Sequence, residues 1–235
     1  SSTSRGLGDV YKRQLHASRL LQRPWMEAVV ARTNALQPDL LVITGDLVDG
    51  TVAARTADVE PLRELRARLG VYAIAGNHEY YAEYQHWLEH FAQLGLPMLL
   101  NSHVTIADRG ASLVLAGITD PAAARFGQPL PDIDAALAGV PEDAAVILLS
   151  HRPLAAAGNA LAGVDLQLSG HTHGGQVLGM HWVTQAFNEG YVSGEYAVGD
   201  MRLYVSNGTG LWNGFPLRLG KPSEITRITL RSAKG

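Results

Sequence analysis

Four short apolar runs in the 235-residue chain end in tips rich in metal-binding side chains. The tips read Gly45-Asp46-Leu47-Val48-Asp49, Gly76-Asn77-His78-Glu79, Ser150-His151 and Gly170-His171-Thr172-His173. They follow Leu40-Leu41-Val42-Ile43, Val71-Tyr72-Ala73-Ile74, Val146-Ile147-Leu148-Leu149 and Val164-Asp165-Leu166-Gln167-Leu168, each of which reads as a buried strand. Ligands of open α/β sheets bind at the carboxyl ends of strands, so the tips point to one shared site. A carboxylate, an amide oxygen and imidazoles form a hard-to-borderline donor set. That set suits Mn, Fe, Zn or Co better than Ca. The chemistry expected is metal-dependent catalysis.

Two metals held close together need a bridging group, and Asp46 is the natural one, because its two oxygens can serve both. His171 and His173, two apart on a strand-end turn, can fan out to one metal each, and Gly174-Gly175 lets the backbone approach closely. Asn77 supplies a neutral oxygen, which leaves its neighbour His78 unligated and able to act on substrate. Each fragment alone is ordinary: a Gly-Asp pair or a lone Ser-His is more often structural. The His-x-His invites a metallo-β-lactamase reading, but Gly174-Gly175 stand where its Asp-His should follow. Only the ordered set of four is informative. His86 and His90, four apart, lack the zincin-type Glu beside the first His and read as packing or solvated histidines.

The elements that must position these tips alternate. A helix after Pro24 carries Trp25, Val29 and Leu36, with Met26 and Val30 beside them. Another follows Thr56, with the stripe Val59, Leu62, Leu65 and Leu69 ending at Gly70; its Arg63, Glu64, Arg66 and Arg68 read as a solvated face. A third spans about Tyr80 to Leu94. A strand over Ser112 to Gly117, then strand, helix, strand, predicts parallel pairing. Met201–Val205 and Ile225–Leu230 look like strands with no helix between, which predicts a second, more antiparallel sheet. Residues 15–235 read as one domain. Residues 1–14, SSTSRGLGDVYKRQ, are polar and without periodicity, and read as a foreign or disordered leader.

With 46% apolar and 17% charged residues, the composition is that of a globular protein. A net charge of −3 provides no footprint for an extended nucleic-acid surface. The absence of cysteine excludes disulfides, thiolate nucleophiles and Cys-type zinc sites. No apolar stretch reaches the ~18 residues of a membrane span, and the start does not have the pattern of a signal peptide.

In order, GDLVDG, GNHE, the single His of LSHRP and GHTHGG resemble the signature of the calcineurin-like metallophosphoesterase superfamily. The tail from Gly208, GTGLWNGFPLRLGKPSEIT, resembles a small bacterial branch, some members of which are membrane-tethered. The resemblance implies an α/β fold, a four-layer α/β/β/α sandwich around two central mixed sheets. It implies two divalent metals, the first on His16, His173 and Asp46, the second on Asp46, Asn77, His151 and His171. It also implies in-line attack on phosphorus by a metal-held hydroxide, with His78 protonating the leaving oxygen or steadying the transition state, and Asp49 and Glu79 orienting neighbours. The substrate would be a small phosphodiester or pyrophosphate, with lipid-linked and nucleotide-linked esters both open, and the parent protein would be tethered to a membrane through its missing N-terminus. Asn77 and His78 are candidate substrate residues, as are Asn207, Trp212 and Arg218 at a rim loop shaped by Gly208 and Gly210. A nucleotide-binding reading of that glycine pair fails for want of a third glycine and a following helix.

One departure stands out. The superfamily opens with Asp-x-His, and the matching triplet here is Gln14-Leu15-His16. A neutral amide replaces a metal-binding carboxylate, and the apolar strand expected before it is not evident. A catalytically impaired metal-binding relative is therefore the alternative function, and a native aspartate in place of Gln14 is the expectation for the parent.

Overall fold

A computed structural model describes residues 8–13, 15–175, 180–210, 218 and 222–231. Ten strands form two mixed sheets. β1 (Gly8–Arg13), β2 (Leu40–Thr44), β3 (Val71–Ile74) and β10 (Thr226–Leu230) make a four-stranded sheet in the order β10-β1-β2-β3. There β1, β2 and β3 are parallel and β10 runs antiparallel to β1. β4 (Ser102–Asp108), β5 (Ala111–Gly117), β6 (Val146–Leu149), β7 (Leu166–Ser169), β8 (Gly194–Val198) and β9 (Met201–Val205) make a six-stranded sheet in the order β4-β5-β6-β7-β9-β8. Its inner strands are parallel, and the outer pairs β4–β5 and β8–β9 are antiparallel.

Strand side chains alternate between faces, so each buried strand feeds two cores. Leu40 and Val42 join Ile74, Leu113, Leu115, Ile147, Leu149 and Leu168 in a core between the sheets. Leu41 and Ile43 point the other way, into a core with α1 (Arg23–Ala35), α2 (Val52–Val59) and the helix later in this half. That core takes Met26, Val29 and Val30 from α1, Val59 from the end of α2, and Leu62 from the 3-10 turn Glu60–Glu64. After the short α3 (Asn77–Tyr81), α4 (Tyr84–Gln93) adds Trp87 and Phe91. Val114, Ala116, Val146 and Leu148 face outward from the second sheet onto α5 (Ile133–Ala136) and α6 (Ala156–Leu161). A short α7 (Met180–Ala186) precedes β8. Three cores separating four layers make the α/β/β/α sandwich. Continuous burial of β2 and β6 marks both as strands covered on both faces.

Several expectations are corrected. The segment 1–14 is not disordered throughout: Gly8–Arg13 form β1, parallel to β2 and antiparallel to β10. Backbone pairing on both edges defines this strand, so a weak apolar pattern was no bar to it. The terminal strands Met201–Val205 and Thr226–Leu230 do not share a sheet; β9 completes the second sheet and β10 returns to the first. The helix expected from Thr56 starts at Val52 and changes to a 3-10 turn at Glu60, where Pro61 interrupts the α-helix. The helix expected over Tyr80–Leu94 is broken in two at Ala82 and Glu83, the latter at φ 54°. Leu36 caps α1 and is exposed, while Thr33 takes a buried place on its stripe.

Candidate metal centre

The strands deliver their tips to one end of the sandwich, and backbone bonds knit them. His16 N–H donates to Asp46 O (2.7 Å), Ala17 N–H to Leu47 O (2.9 Å) and Asp49 N–H to Ala17 O (2.8 Å), extending the β1–β2 pairing past the strands. In the other sheet Ser150 N–H donates to Leu168 O (3.1 Å) and Gly170 N–H to His151 O (2.9 Å). The two halves meet across Gly45 and Gly76. A Cβ on Gly45 would lie 2.5 Å from Gly76 N and 2.8 Å from His151 Nδ1, so only glycine allows this approach. His16, Asp46, His171 and His173 all have positive φ, at 62, 53, 66 and 50°. Such left-handed backbone at non-glycine residues concentrates at functional sites.

The donor atoms form two groups that share Asp46. Donor atoms of His16, Asp46 and His78 lie within 4.8 Å of one another, as do those of Asp46, His151 and His171. Asp46 Oδ2 is 3.3 Å from His16 Nε2 and 3.1 Å from His151 Nε2. His151 Nε2 is also 3.0 Å from Asn77 Oδ1 and 3.2 Å from His171 Nδ1. His173 Nε2 lies 2.9 Å from His16 Nε2. His151 Nδ1 donates to Thr44 O (2.7 Å), which turns Nε2 toward this cluster.

Burial and the Asp46 carboxylate set the charges in this cluster. Burial works against charge on Asp46, yet His151 and His16 hold its carboxyl well below the usual range. Burial likewise opposes a charged His151, but Asp46 beside it lifts that imidazole to about 9. Burial and the charges of His151 and Arg152 bring His171 down to about 3. Burial and His16 bring His173 well below the ordinary imidazole value, so both present neutral nitrogens. The donor geometry provides the test of fit. Asp46 Oδ2, Asn77 Oδ1 and His171 Nδ1 all converge on His151 Nε2 at 3.0–3.2 Å, and one N–H proton serves only one of them well. A divalent cation can satisfy several of these donors at once, so the residues present fit a metal.

The remaining predicted residues divide. His78 N–H donates to Asp46 Oδ1 (3.0 Å), and its ring Nδ1 is 3.4 Å from Asp49 Oδ1. Burial pulls its pKa down, but the Asp49 hydrogen bond and the charge of Asp46 outweigh it and raise it. His78 was read as standing off the metals, and its ring nitrogen nevertheless falls in the first donor group. Asn207 is turned inward: Ser193 Oγ donates to its Oδ1 (2.8 Å), and its own N–H donates to Glu224 Oε1 (3.1 Å). Arg218 donates to the carbonyls of Asn207 and Gly210 (2.6 Å each) and of His173 (3.3 Å). It ties the 207–210 loop to the backbone of His173. Gln14 and Trp212 lie outside the described residues. His86 and His90 join neither donor group, and His90 packs on Trp87 and Phe91.

Three contributors had no clear sequence signal. Glu224 gathers Tyr204, Asn207 and Thr226 under the rim loop. Asp120, buried, pairs with Arg152 (2.9 Å), the residue after His151. Tyr81 accepts from Asn77 Nδ2 (3.1 Å) through its hydroxyl. The adjacency of Arg152 to His151 was the one available hint.

A family model described as calcineurin-like phosphoesterase matches residues 8–175, more than half of the chain. A bovine protein named transmembrane protein with metallophosphoesterase domain is 37% identical over 231 residues, covering 93% of this chain and 52% of the relative. An uncharacterized metallophosphoesterase of Campylobacter jejuni is 31% identical, covering 94% of this chain and 58% of its own length. The chain thus spans about half the length of several curated relatives it matches. YkuE of Bacillus subtilis, another uncharacterized metallophosphoesterase, is 33% identical over 88% of this chain and 73% of its own length. Among solved structures, Haemophilus influenzae NAD nucleotidase superposes with a TM-score of 0.56 at 15% identity, over 85% of this chain and 50% of that one. The calcineurin-like phosphoesterase YfkN from Bacillus subtilis gives 0.51 at 16% identity, over 85% and 81%. These two likenesses concern the fold.

Proposed function

The chain belongs to the calcineurin-like phosphoesterase family and carries its metal-dependent phosphoesterase domain, and from that premise we propose that it hydrolyses small phosphodiesters or pyrophosphates with two divalent metals. The observation that carries this reading is Asp46, whose carboxylate belongs to both donor groups. His16, His173 and Asp46 would hold one cation, and Asp46, Asn77, His151 and His171 the other. Bound there, the cations supply Lewis acidity: they acidify water and neutralise charge that builds on phosphoryl oxygens. The protein's own groups do the rest. Thr44 O and Glu79 orient His151 and the Asp46 loop, and Asp49 steadies His78 at 3.4 Å. His78 hands a proton to the leaving oxygen, a role that contributes about 10²–10⁴ in rate.

A second reading follows from Gln14. Gln14 stands in the sequence where the family pattern has an aspartate, and a neutral amide in that role would weaken the hold on the first cation. Turnover of bis-p-nitrophenyl phosphate with added Mn²⁺, together with the bound-metal count, tests both readings. The expected result is low turnover with fewer than two tight metals, both raised in Gln14→Asp, and His78→Asn at least about 10²-fold slower. Two tight metals and full activity in the unaltered chain would sink the impairment reading, and inactivity of fully loaded Gln14→Asp would sink the hydrolase. The names of the bovine and zebrafish relatives support a parent tethered to a membrane. Among the described residues of this chain no helix is long and apolar enough to cross one.

A further inference from the structure

An aromatic strip leads out of the metal centre on the His78 side. The rings of His16 and His78 are 4.8 Å apart, those of His78 and Tyr81 5.3 Å, and those of Tyr81 and Phe126 6.1 Å. The last two rings are open to solvent, Tyr81 at 50% and Phe126 at 42% exposure. Single exposed apolar residues are common and need no function. These two differ in being continuous, ring to ring, with a residue of the centre, and in being rigidly mounted.

The mounting is explicit. Tyr81 closes α3, and its hydroxyl accepts from Asn77 Nδ2 at 3.1 Å, which fixes the ring relative to a donor of the centre. Phe126 ends the 3-10 turn Pro121–Phe126, where Ala122 and Ala123 pack on Tyr80 and Tyr84. Asp120 caps that turn by accepting from Ala122 N–H at 2.8 Å, and its other oxygen holds Arg152 at 2.9 Å, next to His151. Phe126 also stacks on Tyr80 at 6.4 Å, so both rings are held near the centre with about half of each residue open to solvent.

We propose that Tyr81 and Phe126 form a platform for a planar aromatic ring carried by the leaving group of the substrate. The inference rests on the phosphoester reading above, in which His78 protonates the leaving oxygen; whatever that oxygen carries extends past His78 over these rings. Flat faces on an open rim reward an offset-stacked ring. An alkyl chain gains chiefly from enclosure, which two rings on one side do not provide. The substrate class this selects is a phosphate ester of an aromatic group or of a nucleoside with its base on this side.

Calorimetric binding of benzylphosphonate and cyclohexylmethylphosphonate to the metal-loaded protein tests this without turnover. The two share the anion and differ in the aromatic face. Benzylphosphonate should bind about 3- to 10-fold tighter. The preference should fall toward unity in Phe126→Leu and persist in Phe126→Tyr, which keeps the ring. Equal binding by the unaltered protein, or a preference that Phe126→Leu leaves intact, overturns the platform and leaves the phosphoester reading standing. Binding of neither compound by metal-loaded Gln14→Asp overturns the phosphoester reading, and the platform with it.

Discussion

Glu79 lies outside both donor groups and shows how a buried carboxylate can order the loops that carry them. Its carboxylate, fully buried, accepts from the backbone N–H groups of Asp46 (3.0 Å), Leu47 (2.6 Å), Val48 (3.2 Å) and Gly76 (2.6 Å). Burial and the charge of Asp46 push its pKa up to about 7 against the pull of these donors. Cations beside Asp46 relieve the second of those pressures. In Glu79→Gln the amide nitrogen would face two buried N–H groups that then lack an acceptor. Each costs about 1–3 kcal/mol, so urea unfolding should show a loss on the order of 2–5 kcal/mol, with weaker metal retention. A loss under about 1 kcal/mol would show that water or backbone movement replaces the carboxylate. The sequence could mark Glu79 as an orienting residue by family resemblance, but not which loop it orients, because its partners lie 31 to 33 positions away.

At the scale of elements, close approach of two loops decides the centre. A Cβ on Gly76 would fall 2.5 Å from Asp46 N and 2.8 Å from His151 Cε1. Gly76→Ala should therefore cost about 2–3 kcal/mol, the overpacking range, and lower the bound-metal count. Gly158, in α6, has open space where a Cβ would go. Gly158→Ala should instead stabilise by about 0.5–1 kcal/mol, since alanine loses less backbone entropy in a helix. Thermal or urea unfolding of the pair checks both signs. Elements carrying strong periodicity, such as β2 and α1, were legible in sequence. The β4–β5 hairpin was not, although Arg109 and Gly110, at φ 50° and 82°, form the tight two-residue turn that such a hairpin favours. The β1 strand was hidden for a related reason: its pairing with β2 and β10 is backbone chemistry that leaves little mark on side-chain pattern.

The whole molecule couples the centre to stability. Donors from β1, β2 and β3 of one sheet meet donors from β6 and β7 of the other, so a cation held between them bridges both halves of the sandwich. Anything that binds the folded state and not the unfolded one stabilises it by mass action. Mn²⁺ at about 100 times its dissociation constant should contribute about 2.7 kcal/mol, raising Tm by roughly 5–10 °C. A chelator should reverse the rise, and His171→Ala should blunt it. A Tm insensitive to Mn²⁺ would mean that the donors do not bind metal across the sheets. At the opposite end, Arg68 donates to both oxygens of Asp108 (2.7 Å each) and to Asp39 (2.7 Å), tying the sheets where no metal is expected.

Sequence alone determined the chemistry: the residue types at four strand tips, their order, and the short apolar runs that bury β2 and β6. These are local properties, set by side-chain donor type and by the continuous apolar runs along the buried strands. Tertiary structure alone decided which atoms face each other. Asp46 became the shared donor because His16 and His151 reach it from opposite sheets, and Asn207 and Arg218 were drawn into the scaffold by partners on other segments. It also placed Tyr81 beside His78 and Phe126 beside Tyr81. Long-range pairing of this kind depends on how the layers stack, and no residue's immediate neighbours in the chain encode it.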